Sequence, residues 1–472
     1  MPSTRPLNPR RGNFKTLICQ KVPLRGIQGA RISATITITS CFYIYIFTEK
    51  LPACIIELTP TACHQVQFSY TESTVLVRYN LDDIQETMVL GESIFLPSGE
   101  LLLAAGYRIK ERYLYRLKQL GYQAVLVDVE GTEGVIPETT VSDTSQREMN
   151  SALESSSKEL TSAIEQFKNR SNDKVRDIIK ENHLYLNKYI MSSGMIKALD
   201  QFVNEIMSQS AIVLNLSALQ QTQSNLLSYA LNVTITSLCI GKKYKLSYEE
   251  MKQLGIGALN YDLGLICLPK ELLAKKHSEF DEAEIKLYQQ HTIFGFLMLS
   301  QNHTIPSTSA AVALQHHECQ DGKGYPRSLK GDNRPPLKDF SRQNMIHRFA
   351  EIVAVADCYD RFTSGRPLEG IESCDVRSAT KKVIELSQKK LNAEIVKTFL
   401  SIAPVFPVGA RIRITQAPTP QLIGYYGVIA KDNPKNLETP QIIIFESKNH
   451  QKIKPILIDI SRYKGFGLEL IV

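Results

Sequence analysis

The apolar positions of this chain become regular at Ser73, where the run STVLVRYNLDDI opens a tight succession of strand-like and helix-like stretches. Ile94, Phe95 and Leu96 are separated from Leu101, Leu102 and Leu103 by Pro97-Ser98-Gly99-Glu100, and turn residues between two apolar runs predict a hairpin. Ile109, Tyr113, Leu114, Leu117 and Leu120 then recur at helical spacing, with Gly121 placed to cap the helix, and Ala124 to Val127 resumes a strand. These elements predict a small α/β domain over 73–134. From 135 to 162 the chain turns rich in Ser, Thr and Glu, which marks a linker or a solvated connecting helix.

Helical periodicity dominates 163–402. Met345, Ile346, Phe349, Ile352, Val353 and Ala356 form one buried stripe, and Ser278 with Asp281 resembles a capping box opening a helix that carries Ile285, Tyr288, His291 and Phe296. After Pro404, short β runs at Ala410 to Thr415, Gly427 to Ala430, Gln441 to Glu446 and Ile456 to Ile460 predict a β-rich module over 403–472. The reading is a multi-domain, mainly α protein: an all-α bundle flanked by a small N-terminal α/β domain and a small C-terminal β module.

Composition adds limits. At 472 residues, with 43% hydrophobic and 22% charged residues, the chain has ample material for several cores. A net charge of +7 is modest for this length, and no Asp or Glu precedes Glu49, so the positive excess is local and no nucleic-acid partner is expected. Nine cysteines without a CxxC pair fit a reducing cytoplasm. Residues 1–72 read as an atypical basic and apolar extension. Its stretch from Ala34 to Thr48 is too short and too Thr-rich for a spanning helix, and the long basic region before it is followed by no small-residue cleavage site.

The chemistry concentrates in Gln315 to Pro326, QHHECQDGKGYP. Adjacent histidines, an acid and a Gly-spaced loop are poor helix material, and imidazoles are the commonest metal ligands. On a helix end His316 and His317 would point about 100° apart, suited to two neighbouring metals or to one metal and a supporting role.

His316 to Pro326 matches HHExxDGxGYP, and through it the chain resembles the HD-GYP family of HD-domain phosphohydrolases. Asp262 lies in an LxxDLGLIxLP stretch similar to that family's HDIGKIGIP segment, and His291 sits where its intervening metal histidine belongs. Val355 to Pro367, VADCYDRFTSGRP, resembles its closing segment, with Arg361 in place of an Ala. The resemblance implies an HD-type helical bundle, iron or manganese, and hydrolysis of a phosphodiester of cyclic di-GMP. It implies Asp262, His291, His316, His317 and Asp357 as metal ligands, with Asp262 bridging. Asp321, Lys323 and Tyr325 follow as catalytic or substrate-facing groups, Lys323, Gly324, Tyr325 and Pro326 as the substrate loop, and Arg366 as a phosphate contact.

The match fails at four polar positions. Tyr261 stands for the His of the His-Asp pair and Leu265 for a Lys, while in NLLSYALNV Asn225 stands for a Glu and Tyr229 for a His. A protonated phenol binds divalent iron or manganese poorly, so the expectation is one metal site with the second doubtful, and weak or lost hydrolysis. Three roles stay open: a working phosphodiesterase, a non-catalytic module binding cyclic di-GMP or a related nucleotide or a partner such as a diguanylate cyclase, and an architectural body linking the two flanking modules.

Overall fold

A computed structural model describes residues 75–471 apart from 86–87, 92–93, 96–100, 120–123, 130–139, 171–173, 210–213, 215–227, 339–344 and 434, and also three strands within 35–57. The chain divides into two units, Met1–Glu72 and Ser73–Val472. In the first, β1 (Thr35–Thr39), β2 (Tyr43–Thr48) and β3 (Leu51–Glu57) form an antiparallel sheet in that order, with Thr35 opposite Phe47. Strict alternation such as TITIT has the period of a strand, and Thr35–Thr39 pairs with β2 as a ladder. Among the described residues no helix is long and apolar enough to cross a membrane.

The second unit begins with β4 (Val75–Asn80), β5 (Val89–Leu90), β6 (Ile94–Phe95), β7 (Leu101–Leu103), α1 (Glu111–Gln119) and β8 (Ala124–Val129). Strands order as β4-β8-β5, and β6 pairs with β7 antiparallel as the expected hairpin, whose turn lies outside the described residues, as does Gly121. At the other end come β9 (Arg411–Gln416), β10 (Tyr426–Lys431), β11 (Gln441–Glu446), β12 (Lys452–Asp459) and β13 (Gly467–Leu470), an antiparallel sheet ordered β12-β11-β10-β9-β13.

The sequence separates these regions as 73–134 and 403–472, whereas the fold gives them one core. Val77, Ile109, Leu117 and Val127 join Ile412, Ile414, Val428 and Ile444 in a single apolar cluster. The Arg411 guanidinium also lies over the Tyr79 ring, 4.5 Å from its centre. The central strands β10 and β11 are buried on both faces, and covering the two small sheets together stabilises more than either could achieve alone.

Between them stand α2 (Asp143–Arg170), α3 (Val175–Glu181), α4 (His183–Leu186), α5 (Ser193–Ser208), α6 (Ser228–Lys243), α7 (Tyr248–Leu259), α8 (Lys270–Ala274), α9 (Glu282–Gln289), α10 (His291–Ser300), α11 (Ser307–Gln315), α12 (Arg348–Ser364), α13 (Val376–Glu385) and α14 (Ala393–Leu400). α6 and α12 pack together at the centre, with Val233, Ile235, Leu238, Phe349, Ile352, Val353 and Ala356 sealed from solvent. The stretch 135–162, read as linker or solvated helix, instead supplies most of α2. Its Met149, Leu153, Leu160 and Ile164 join the main core, where α2 packs on α5; Glu154, Ser155 and Glu159 form its outer face, while Ser156 and Ser157 are buried with the core. The capping box also moves by three residues. Asp281 accepts from the Glu284 amide and Glu284 reaches back to Asp281, so α9 starts there, and His291 opens a separate helix.

Because the two sheets share one core, Ile412→Ala should destabilise both. The expected cost is about 2–5 kcal/mol by denaturant unfolding, with hydrogen exchange rising in β4 and β8 as well as in β9 and β10. Faster exchange in the C-terminal strands alone would show two independent cores.

Candidate metal centre

Small residues bring three segments together. Asp262 precedes a single 3-10 turn, Leu263–Cys267, which lies across the start of α10. A Cβ on Gly264 would sit 1.9 Å from the His291 carbonyl oxygen, so only glycine permits this approach. Gly295 does the same one turn later, where a Cβ would lie 3.3 Å from both the Gly264 nitrogen and the Ala313 Cβ of α11. The two close passages set Asp262 beside the first residue of α10 and the last turn of α11.

The result is a cluster of Asp262, His291, His316 and His317, with one ligand atom from each lying within 4.8 Å of all the others. Nε2 of His291 and Nε2 of His316 are each 3.4 Å from Asp262 Oδ1. Two donors about 2.1 Å from one ion at a tetrahedral angle are about 3.4 Å apart, so the spacing suits a shared cation. His316 and His317 serve the same cluster, in place of the divergence expected of a helix. α11 ends at Gln315, the chain turns, and the two rings come within 4.1 Å of each other.

Hydrogen bonding fixes the imidazole tautomers. The Nδ1 of His291 lies 2.7 Å from the Tyr288 carbonyl, and that of His316 lies 3.1 Å from the Ala313 carbonyl. A carbonyl only accepts, so each Nδ1 donates and each Nε2 keeps a bare lone pair. The Nε2 atoms of His291, His316 and His317 are buried without a hydrogen-bond partner. Three such orphans in one cluster with a carboxylate are what a metal ligand set requires and what a folded interior otherwise avoids.

Electrostatics hold the same state. Burial lowers His291 to about 4 and His317 well below the usual histidine value, against the pull of Asp262 on the former. Burial opposes ionisation of Asp262 too, but His316, His291 and Arg361 outweigh it and hold the carboxyl below the usual range. Neutral His291 and His317 beside an ionised Asp262 are donors ready for a divalent cation.

The loop after the histidines is braced from within. Glu318, 3% exposed, accepts from the Arg327 amide at 2.7 Å and the Leu329 amide at 2.8 Å. Gln320 bonds Glu351 and receives the Asn333 amide, while Gly324 lies so near His317 and Glu318 that a Cβ would come within 2.4 Å of backbone. Tyr325 stacks on His317 at 4.6 Å and thereby walls the cluster. Sequence reading assigned Glu318 and Gln320 no part, although both lie inside the motif; their signal was a buried acid and amide in a loop short of backbone partners.

Other expected residues lie apart from the cluster. Asp321 and Lys323 are on the exposed part of the loop, where the Asp321 carboxylate accepts from the Lys323 amide. Asp357 is taken by Tyr261, whose hydroxyl donates to Oδ1 at 3.0 Å, and by Arg361 Nε, 2.6 Å from Oδ2. Arg366 is 7% exposed, donates to Asp360 at 2.8 Å and lies against the Tyr229 ring. Asp360, which sequence reading overlooked, is thus the buried anchor of Arg366, and Asn232 and Ser364 donate to its other oxygen. Leu265 is part of the apolar core, and Asn225 lies outside the described residues.

Two outcomes follow from this geometry. Gly264→Ala should cost about 1–3 kcal/mol through overpacking and abolish metal uptake, since the displaced atom is the backbone of His291. In metal-free protein, stability should fall as pH drops from about 6.5 towards 4, because the unfolded chain gains protons that buried His291 refuses; the slope from His291 alone is about 1.4 kcal/mol per unit. Denaturant midpoints at pH 7 and pH 5 measure it, and His291→Gln should flatten the profile.

Comparison with known proteins agrees with this constellation. The HD-domain family profile matches residues 207–395. A cyclic di-GMP phosphodiesterase of Pseudomonas aeruginosa is 23% identical over 264 residues, covering 56% of this chain and 58% of the relative. A cyclic di-GMP phosphodiesterase of Thermotoga maritima is 32% identical over 164 residues, covering 34% and 40%. A 3'3'-cGAMP-specific phosphodiesterase of Vibrio cholerae is 30% identical over 138 residues, covering 29% of each. The chain therefore spans between about a third and just over half of these relatives. Residues 207–395 thus match the HD-domain family, and over part of that stretch the chain is similar to these cyclic-dinucleotide phosphodiesterases.

Proposed function

We propose that this chain binds a cyclic dinucleotide of the cyclic di-GMP class at one iron or manganese centre, and that hydrolysis there is weak or absent. The observation that carries the reading is the set of three buried, unpartnered Nε2 atoms converging on Asp262. Imidazole with carboxylate suits iron and manganese, and such an ion supplies Lewis-acid polarisation of a phosphoryl oxygen. Relatives named for hydrolysing cyclic di-GMP and 3'3'-cGAMP support a cyclic dinucleotide as the ligand class.

The chain's own residues would divide the work. Asp262 and the three histidines hold the ion, while Tyr288, Val312 and Ala313 carbonyls keep two of the imidazoles in the metal-binding tautomer. Tyr325 and Pro326 wall the pocket beside His317, and Lys323, exposed at the loop tip, offers a mobile charge to a phosphate. Burial raises the Tyr325 hydroxyl well above its usual value, so it stays a neutral donor. His291 and His316 have Nδ1 bound to carbonyls and Nε2 turned to the ion, so neither is left to serve as a proton acceptor. This favours binding over turnover.

Elemental analysis paired with calorimetry tests the reading. The protein should carry about one iron or manganese per chain and bind cyclic di-GMP, with a turnover about 10² to 10³ below that of a two-metal relative. His316→Ala should remove both metal and binding. Protein that holds no metal under any loading condition would contradict the proposal.

A further inference from the structure

The acidic groups beside the cluster are already served by a cation of the chain's own. Asp357 and Glu369 both engage Arg361, through Nε and Nη1 respectively, and the remaining Asp357 oxygen accepts from Tyr261. Asp357 is 5% exposed, and the Arg361 side chain 15%. Both carboxylate oxygens of Asp357 are thus occupied before any ion arrives. The Arg361 charge is also near enough to act on Asp262, His291 and His317.

We infer that Arg361 takes the place of a second metal ion, so that the centre pairs one divalent cation with one built-in guanidinium. This rests on the metal reading above and specifies its stoichiometry. Charge balance supports it. Asp262, Asp357 and Glu369 bring three negative charges and Arg361 one positive, so one divalent ion makes the group neutral and a second would overshoot by two in a buried setting. Geometry points the same way, because an ion at Asp357 would have to displace both the Tyr261 hydroxyl and a guanidinium pinned at two points. Nη2 of Arg361 has no hydrogen-bond partner among the described residues and is the donor left to meet a phosphate oxygen. A guanidinium can hold that oxygen but cannot acidify a water, so the substitution keeps anion binding and sacrifices the activation a second metal gives.

The test is manganese loading of the full chain, read by elemental analysis and electron paramagnetic resonance. Wild type should take one manganese and show the hyperfine sextet of an isolated ion. Tyr261→His/Arg361→Ala, which clears the Asp357 oxygens and adds an imidazole, should take a second ion and lose the isolated signal to exchange coupling. Arg361→Lys, which keeps the charge and threatens folding less, should still take one manganese while weakening cyclic di-GMP binding at least tenfold. Two coupled ions in the wild type would overturn the role of Arg361 and leave the metal centre standing. No manganese in the wild type would remove the metal centre itself and this inference with it.

Discussion

The fixed tautomer of two buried histidines is the constraint on which the rest depends. Once His291 and His316 give their Nδ1 protons to backbone carbonyls, their Nε2 lone pairs face inward, and the interior offers them nothing but Asp262 and each other. An unpartnered buried acceptor costs about 1–3 kcal/mol, and three together are tolerable only where something restores the lost interaction. The close packing of the 3-10 turn on α10, and of α10 on α11, forces the groups together, and Gly264 and Gly295 make that packing possible. Fold and site are thus one problem: the helices can meet this tightly only by creating the cluster.

Around this centre the buried polar groups are neutral or compensated within the chain. Tyr261 donates to Asp357 in a fully buried contact, and burial keeps its proton in place by raising the hydroxyl well above its usual value. Tyr229 lies under Arg366, and Arg366 is tied to Asp360. Each of these groups is satisfied locally. Buried pairs of this kind stabilise little in net terms but are expensive to break singly.

Much of this was legible in the sequence, and the failures have physical causes. The four-residue cluster was readable because its ligands lie in spaced motifs, and imidazole chemistry constrains what such motifs can do. The role of Asp357 was not, since its fate depends on Arg361 and Tyr261, one of them 96 residues distant in the chain. Arg366 looked like a phosphate contact because a guanidinium in a motif loop suits that task, and only the packing of α12 shows Asp360 within reach. Periodicity located α12 and the strands β9 to β11 well, but it caught only the second half of β12 and missed β13. It misjudged 135–162, where small polar residues outnumber the few large apolar ones that α2 buries. It also could not show that the first and last modules share a core, because nothing local encodes a contact between Val77 and Ile412.

The central claim is that three imidazole nitrogens and one carboxylate close around a single ion. X-ray absorption fine structure at the metal edge of the loaded protein addresses it most directly. The account predicts strong imidazole scattering from about three rings and no metal–metal vector. A metal–metal distance of about 3.5–4 Å, as in two-metal sites, or a shell of oxygen donors without imidazole, would contradict it.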